Sequence, residues 1–551
     1  MMEFSYQTRS DNLKKMQSEP LDLLVVGGGI TGSGITLDAR TRGLNVGVLE
    51  MGDFASGTSS RSTKLVHGGL RYLKQFEIKV VQEVGQERAI VYENAPHVTT
   101  PLWMVLPFYK GGTFGSFTTA IGLEMYDHLA KVKKSERRYM LKPLRALEKE
   151  PYLKKEGLKG AGVYVEYRTD DARLTVEVMK KAAEEGAMIA NYVKVEKFVY
   201  DLDGKVKGVA FRDLISGETG TIYAKKIVNA AGPWVDKLRE LDHSKKGKTM
   251  HLTKGVHLVI DQAKFPISNA IYFDTPFDDN RMMFAIPREG KTYIGTTDTN
   301  YKGNPKEPGV TLEDVHYILN AANQMFDIPK IEVEDVESSW SGVRPLIHEE
   351  GKDPSEISRK DEIFHSDSGL FTIAGGKLTG YRKMSEKVVD QVVLELAVET
   401  GITYQPTKTE RLLLSGGNVG GGDNFENFVV EKTQVGIMLG LSKEDAENLV
   451  HRYGSNVDTV YGYLKTSQES SLDPVDYSML HYGLEHEMVI TPVDYLLRRS
   501  SQMLFDIHHA KKISQQVIDE MSSYYQWDEA VKEAHSKEVE EQFKLHTEFS
   551  S

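Results

Sequence analysis

The stretch LDLLVVGGGITGSGITLDAR, Leu21 to Arg40, constrains this chain more than any other. Leu21 to Val26 is a short, continuous apolar run of the kind that forms a parallel strand buried on both faces. It enters Gly27-Gly28-Gly29-Ile30-Thr31-Gly32, which satisfies G-x-G-x-x-G, and Ser33 to Arg42 reads as the helix that follows. In such a unit Gly27 makes the tight turn, Gly29 lets the backbone approach a pyrophosphate, and Gly32 lets helix and strand pack closely. The helix N-terminus then faces the negative charge. Leu44 to Leu49 supplies a second strand, and Glu50 at its end lies 18 residues past Gly32. That spacing suits a carboxylate accepting hydrogen bonds from a ribose 2′-OH. A glycine-rich turn alone is weak evidence; strand, turn, helix and acid in this order predict a dinucleotide site.

FAD and NAD share this fingerprint, and two later segments favour FAD. Lys226 to Gly232, KIVNAAG, reads as a strand running into small residues that close over the nucleotide from the other side. Phe371 to Thr379, FTIAGGKLT, reads as a strand ending in Gly375-Gly376, whose amides would face a distant part of a long ligand. The chain has no cysteine, which excludes disulfides, thiolate zinc sites, iron–sulfur clusters and thiol redox chemistry. Electron chemistry therefore needs an organic cofactor. At 551 residues one core is too few, and a net charge of −12 argues against a nucleic-acid partner. The first residues lack the apolar core of a secretory signal, so a cytoplasmic protein is the default.

The ordered strings GGGITGSG, TSSRSTKLVHGGLRYL, MYDHL, DDARL, NAAGPW, KGVHLV, IGTTD, SGVRPL and GGKLTGYR run from about Leu21 to Lys383. Together they closely resemble the FAD-dependent glycerol-3-phosphate dehydrogenases, within the D-amino-acid-oxidase-like flavoprotein superfamily, and HGGLRYL is specific to that enzyme group. The resemblance implies an α/β chain: a FAD-binding Rossmann-like domain, an inserted antiparallel-sheet substrate domain and a C-terminal all-α domain. The expected boundaries are 20–95, 160–235 and 335–400 for the discontinuous FAD domain, 96–159 and 236–334 for the substrate domain, and 410–551 for the helices. It also implies oxidation of sn-glycerol 3-phosphate at C2 to dihydroxyacetone phosphate, with electrons passing through FAD to a membrane quinone. A glycerol-3-phosphate oxidase that hands electrons to O₂ and makes H₂O₂ is the alternative. One departure is Thr36, where related motifs often carry alanine or glycine and where the methyl could loosen helix packing.

A phosphate dianion and a secondary alcohol ask for fixed cations at one end and a proton acceptor at the other. Arg71, Arg344 and Lys377 occupy positions the family uses for substrate, with Tyr72 beside Arg71 and Arg359 as a weaker phosphate candidate. An isolated Arg or Lys is ordinarily a solvated surface cation, and Lys377 could instead face the flavin N1–C2=O edge. His257, on a strand with Gly255 and Val259, is preferred as the base and His67 is the alternative; either could be a structural histidine. Arg344 belongs to the catalytic set as well as the substrate set. The cofactor set is Gly27, Gly29, Gly32, Glu50, Thr58, Ser59, Ser60, Lys64, Val193, Gly232, Gly375, Leu378 and Thr379, with the Val193 amide and carbonyl reading the adenine edge. No metal site is expected, since His508 and His509 are adjacent and cannot share a helix face.

Gly416 to Asp423, GGNVGGGD, reads as a linker before helix-forming sequence from Asn424 to Phe549. Membrane contact has two candidate segments. One runs from His97 to Lys131 with Trp103, Phe108, Tyr109 and Lys110; the other runs from Tyr495 to Lys512 around Arg498-Arg499 and Lys511-Lys512. Peripheral association with the inner face of the plasma membrane and a homodimer are open options.

Overall fold

The computed structural model describes residues 4–67, 78–112, 123–124, 136–279, 281–349 and 361–551. The run Leu21–Val26 is the central strand of a parallel sheet, flanked by Val46–Leu49 on one side and Thr219–Asn229 on the other. Met188–Ala190 and Leu370–Ala374 extend the sheet outward, and Glu362–His365 adds an antiparallel edge. Its apolar continuity has a plain cause. Leu23 and Val25 pack toward a layer holding the helices Ile30–Thr41, Asp171–Glu184 and Tyr381–Thr400, while Leu21 and Leu24 pack toward the helix Tyr6–Ser18. Thr36 loosens nothing: its hydroxyl donates to the Gly32 carbonyl at 2.8 Å. The close helix contact falls at Gly34, where a Cβ would meet Ser385 and Tyr381.

A second sheet is antiparallel except where Ala270–Asp274 runs beside Thr99–Tyr109. Its longest pair joins Lys248–Asp261 to Val336–Glu349, in register from Lys248↔Glu349. The strand Val336–Glu349 lies inside the segment expected for the FAD domain (335–400), and so does most of Leu158–Thr169 (160–235). Both instead build this second sheet, as does the short strand Leu65–Val66. Alternation along a strand shows which face is apolar; it does not show which strand lies alongside.

The helices from Phe425 to Thr547 do not form a core of their own. Tyr453, Tyr482, Leu504 and Phe505 share one apolar cluster with Leu106, Tyr293 and Trp340 of the second sheet. Nor is GGNVGGGD a free linker: Gly416, Gly417, Val419 and Gly422 are buried. A Cβ on Gly417 would lie 2.2 Å from the Asn94 carbonyl, and that same carbonyl accepts the Leu414 amide at 2.9 Å. The glycines are there to let two backbones touch.

The basic pair Arg498-Arg499 is likewise not a membrane-facing surface. Both side chains are buried in a π-helical turn, Asp494–Arg499, and bond Asp53 of the dinucleotide domain. In the other candidate segment Phe108 is buried in the core, Trp103 and Tyr109 are half-buried and Lys110 is exposed. Residues 113–122 and 125–131 of that segment lie outside the described residues. Among the described residues no helix is long and apolar enough to cross a membrane.

Candidate active site

One continuous cavity of about 1740 Å³ runs between the two sheets. It exceeds the roughly 300–1,000 Å³ of ordinary small-molecule pockets, as a long dinucleotide beside a small substrate requires. Its first wall is the glycine turn. Gly27 has φ +119°, and a Cβ there would lie 2.5 Å from the Ala230 carbonyl, so the turn is pressed against the end of the neighbouring strand. A Cβ on Gly32 would lie 1.9 Å from the Gly27 carbonyl; this is the close approach the motif predicts. Gly29 and Ile30 open the helix onto the cavity, and the Ile30 amide donates to Ser59 Oγ at 2.9 Å. Ser59 therefore sits at the helix N-terminus, where a pyrophosphate belongs.

Glu50 lines the cavity as expected. Its carboxylate accepts the Gly28 amide at 2.6 Å and the Gly52 amide at 2.7 Å. Burial raises its pKa above the usual carboxylate range, and the two amides offset part of that rise. Each oxygen keeps a lone pair for a ribose hydroxyl. Gly232, Gly375, Leu378 and Thr379 also line the cavity, and Gly375 and Gly376 have left-handed φ of 74° and 85°. A glycine turn, an acid and a second glycine loop spaced along one long cavity fit FAD.

Lys64 and Ser60 do not line the cavity, and the roles of Thr58 and Val193 narrow. Lys64 is 1% exposed and its ammonium bonds Asp171 at 2.6 Å and the Ser60 carbonyl at 3.0 Å, away from the cavity wall. Ser60 is buried beside it. Thr58 reaches the cavity, but its hydroxyl donates to the Val343 carbonyl at 2.6 Å and so ties the loop to the second sheet. Val193 lines the cavity, yet its amide already donates to the Glu50 carbonyl at 2.7 Å and is not available to read adenine. For Lys64, Thr58 and the Val193 amide a nearer polar partner captures the group, as buried donors require.

Arg344 stands on Val336–Glu349 opposite Thr253, with its guanidinium over Gly255. It donates to Thr296 Oγ1 at 3.2 Å and lies 3.3 Å from Asp298 Oδ1. Gly255, Thr296 and Arg344 face the same cavity as Lys377 and His67. The His67 backbone is clasped by Thr379, whose hydroxyl accepts the His67 amide and donates to its carbonyl. Burial, Lys377 and Arg88 push the His67 pKa down to about 4, so its imidazole is neutral at ordinary pH.

His257, the preferred base, is not on the cavity wall. It is 1% exposed, stacked on Trp340 at 4.7 Å, and its Nε2 lies 3.0 Å from Thr63 Oγ1. Burial, then Arg344 and Lys64, hold its pKa well below the usual value. Thr63, which bonds His257, is itself on the cavity wall, and the sequence reading passed over Thr63. It also passed over Arg61, Arg281 and the stacked pair Tyr272–Phe284, all on the cavity wall. A local signal existed for Phe284 alone, as an alternate residue on a strand. Arg71, Tyr72 and Arg359 lie outside the described residues.

The family described as FAD dependent oxidoreductase matches residues 22–382, and the C-terminal domain of alpha-glycerophosphate oxidase matches residues 407–532. The chain is 57% identical to the aerobic glycerol-3-phosphate dehydrogenase of Bacillus subtilis (strain 168), over 98% of this chain and 97% of that one. It is 56% identical to the enzyme of that name from Staphylococcus aureus (strain USA300), over 96% of each. The solved glycerol-3-phosphate dehydrogenase from Bacillus halodurans, complexed with FAD, superposes with a TM-score of 0.86 at 48% identity, covering 99% of both chains. The glycine turn, the long cavity and these relationships agree: the chain belongs to the FAD dependent oxidoreductase family, in the group of the aerobic glycerol-3-phosphate dehydrogenases.

Proposed function

We propose that this chain oxidises sn-glycerol 3-phosphate at C2 to dihydroxyacetone phosphate and passes the electrons to a membrane quinone. The observation that supports the reading is that Arg344, Lys377 and His67 line the same cavity as the glycine turn, with the Lys377 charge acting on His67. When bound, FAD supplies the hydride acceptor. Arg344 is pre-aimed by Thr296 and Asp298 and offers its fork to phosphate oxygens. Lys377 adds a second positive charge near the same space. His67 is neutral and accepts the C2 hydroxyl proton as the C2 hydride leaves, and the stacked Tyr272 and Phe284 provide an apolar wall. His257 is a positioning residue that acts through the Thr63 hydroxyl.

Purified holoprotein mixed anaerobically with sn-glycerol 3-phosphate should lose its oxidised flavin absorbance; failure to bleach would sink the reading. Mixing the bleached enzyme with a quinone analogue or with oxygen then separates the dehydrogenase from the peroxide-forming oxidase by reoxidation rate. Interfacial contact with the inner face of the plasma membrane goes with the quinone. In its support, the helix Tyr381–Thr400, which leaves the glycine loop at the cavity, exposes Leu394 and Val398 one turn apart (67% and 82%).

The two histidines are separable by rate. His67→Asn should lower kcat by about 10²–10⁴-fold, the usual worth of a positioned acid–base group. His257→Asn should cost less than tenfold, by the loss of Thr63 orientation. The opposite order would make His257 the base.

A further inference from the structure

A second cleft, of about 1090 Å³, separates the second sheet from the C-terminal helices and has no part in the reaction above. Three arginines enter it from three elements: Arg168 on Leu158–Thr169, Arg288 at the end of Met282–Arg288, and Arg452 on the helix Lys443–Tyr453. The other cations Arg173, Lys291 and His509 on its walls are already matched, and the carboxylates of Glu444, Asp445, Asp473 and Asp506 also belong to the lining. Arg173 is bonded to Glu177 and Glu487, Lys291 to Asp261 and Glu337, and His509 to Asp476. The arginine cluster is only partly matched: two carboxylates, Asp170 and Glu289, face three guanidiniums and feel the charge of Arg452 as well as of Arg288. Its two neighbouring carboxylates, Asp170 and Glu289, lie 3.4 Å and 3.2 Å from the same guanidinium, that of Arg288.

Among the described residues Arg452 donates to the Arg499 carbonyl alone, at 2.9 Å. Among the described residues the guanidinium of Arg168 makes no hydrogen bond or ion pair, while burial and the charge of Arg288 lower its pKa. Arg288 is 6% exposed, and its Nη1 has no hydrogen-bond partner among the described residues. Crowding like charges in a partly desolvated cleft is costly unless an anion joins them. A tetrahedral oxyanion offers oxygens to forks arriving from three directions, which a flat carboxylate does not.

We propose that the cleft between Arg168, Arg288 and Arg452 is a second anion site that takes phosphate or a phosphomonoester. Binding there would clamp the helical region to the sheet and stabilise the native state by mass action.

Calorimetric titration of the holoenzyme with inorganic phosphate, at fixed ionic strength maintained with chloride, tests this. A saturable heat should persist in Arg344→Ala, where phosphate binding at the cavity is weakened. It should weaken tenfold or more in Arg168→Gln and in Arg452→Gln with flavin absorbance intact. Should Arg168→Gln fail to fold, Arg452→Gln carries the comparison, because that side chain bonds only one carbonyl. Heat that vanishes in Arg344→Ala and is untouched by the cleft variants overturns the proposal, as does the absence of any saturable heat. Either result leaves the bleaching experiment, and with it the proposed reaction, unaffected.

Discussion

Gly32→Ala yields protein that purifies without its flavin. The added methyl would lie 1.9 Å from the Gly27 carbonyl oxygen, and because that atom is backbone no side-chain rotation relieves the overlap. Relief requires the helix Ile30–Thr41 to withdraw or the turn to open, and either displaces the amides that face the pyrophosphate. The expected loss in flavin-to-protein absorbance ratio is at least tenfold, with far-UV helix signal largely retained. Gly43→Ala is the control. Gly43 also has a left-handed φ, +98°, but an added Cβ meets nothing, so backbone strain of about 1 kcal/mol is the only cost. A Gly32→Ala protein as yellow as the control would remove the turn from the cofactor site.

Asp53→Asn should lower unfolding free energy by about 3–5 kcal/mol, the range for breaking a buried ion pair from one side. Asp53 and Arg499 are fully buried, and the carboxylate receives Arg498 Nε at 2.5 Å and Arg499 Nη1 and Nη2 at 2.8 and 2.9 Å. An amide cannot neutralise either guanidinium. Burial on its own would raise the Asp53 pKa; Arg499 and Arg498 more than offset it, and the folded value lies below the usual range. The stabilisation is therefore fully present above the unfolded pKa of about 3.9 and fades as pH falls through the lower folded value. Denaturant unfolding of both proteins at pH 7 and near pH 3 measures this. A gap under 1 kcal/mol at neutral pH, or one that grows on acidification, contradicts the assignment.

The dinucleotide half was legible because its determinants are local. An apolar run, three spaced glycines and Glu50 lie within thirty residues of one another, and the structure gathers them at one strand–turn–helix junction. What stayed hidden depends on partners far along the chain. Lys64 reads as a cofactor ligand until Asp171 is seen beside it, and Arg498-Arg499 read as a basic surface until Asp53 is found between them. His257 shows the same limit. Strand alternation gives the side on which its ring projects, but not that Trp340 stacks on it or that Thr63 stands in front.

The central strand has a consequence for how the protein is made. Leu21–Val26 leaves the ribosome about two hundred residues before its partner Thr219–Asn229 and the Ala230 carbonyl that backs Gly27. The outer strand Leu370–Ala374, with the second glycine loop, comes later still. Through that interval the apolar strand Leu21–Val26 has only Val46–Leu49 beside it and keeps one edge open, the kind of species that aggregates before long-range pairing can occur. Cofactor capture is therefore a late event in synthesis, possible only once both glycine loops have emerged and the strands that carry them have paired.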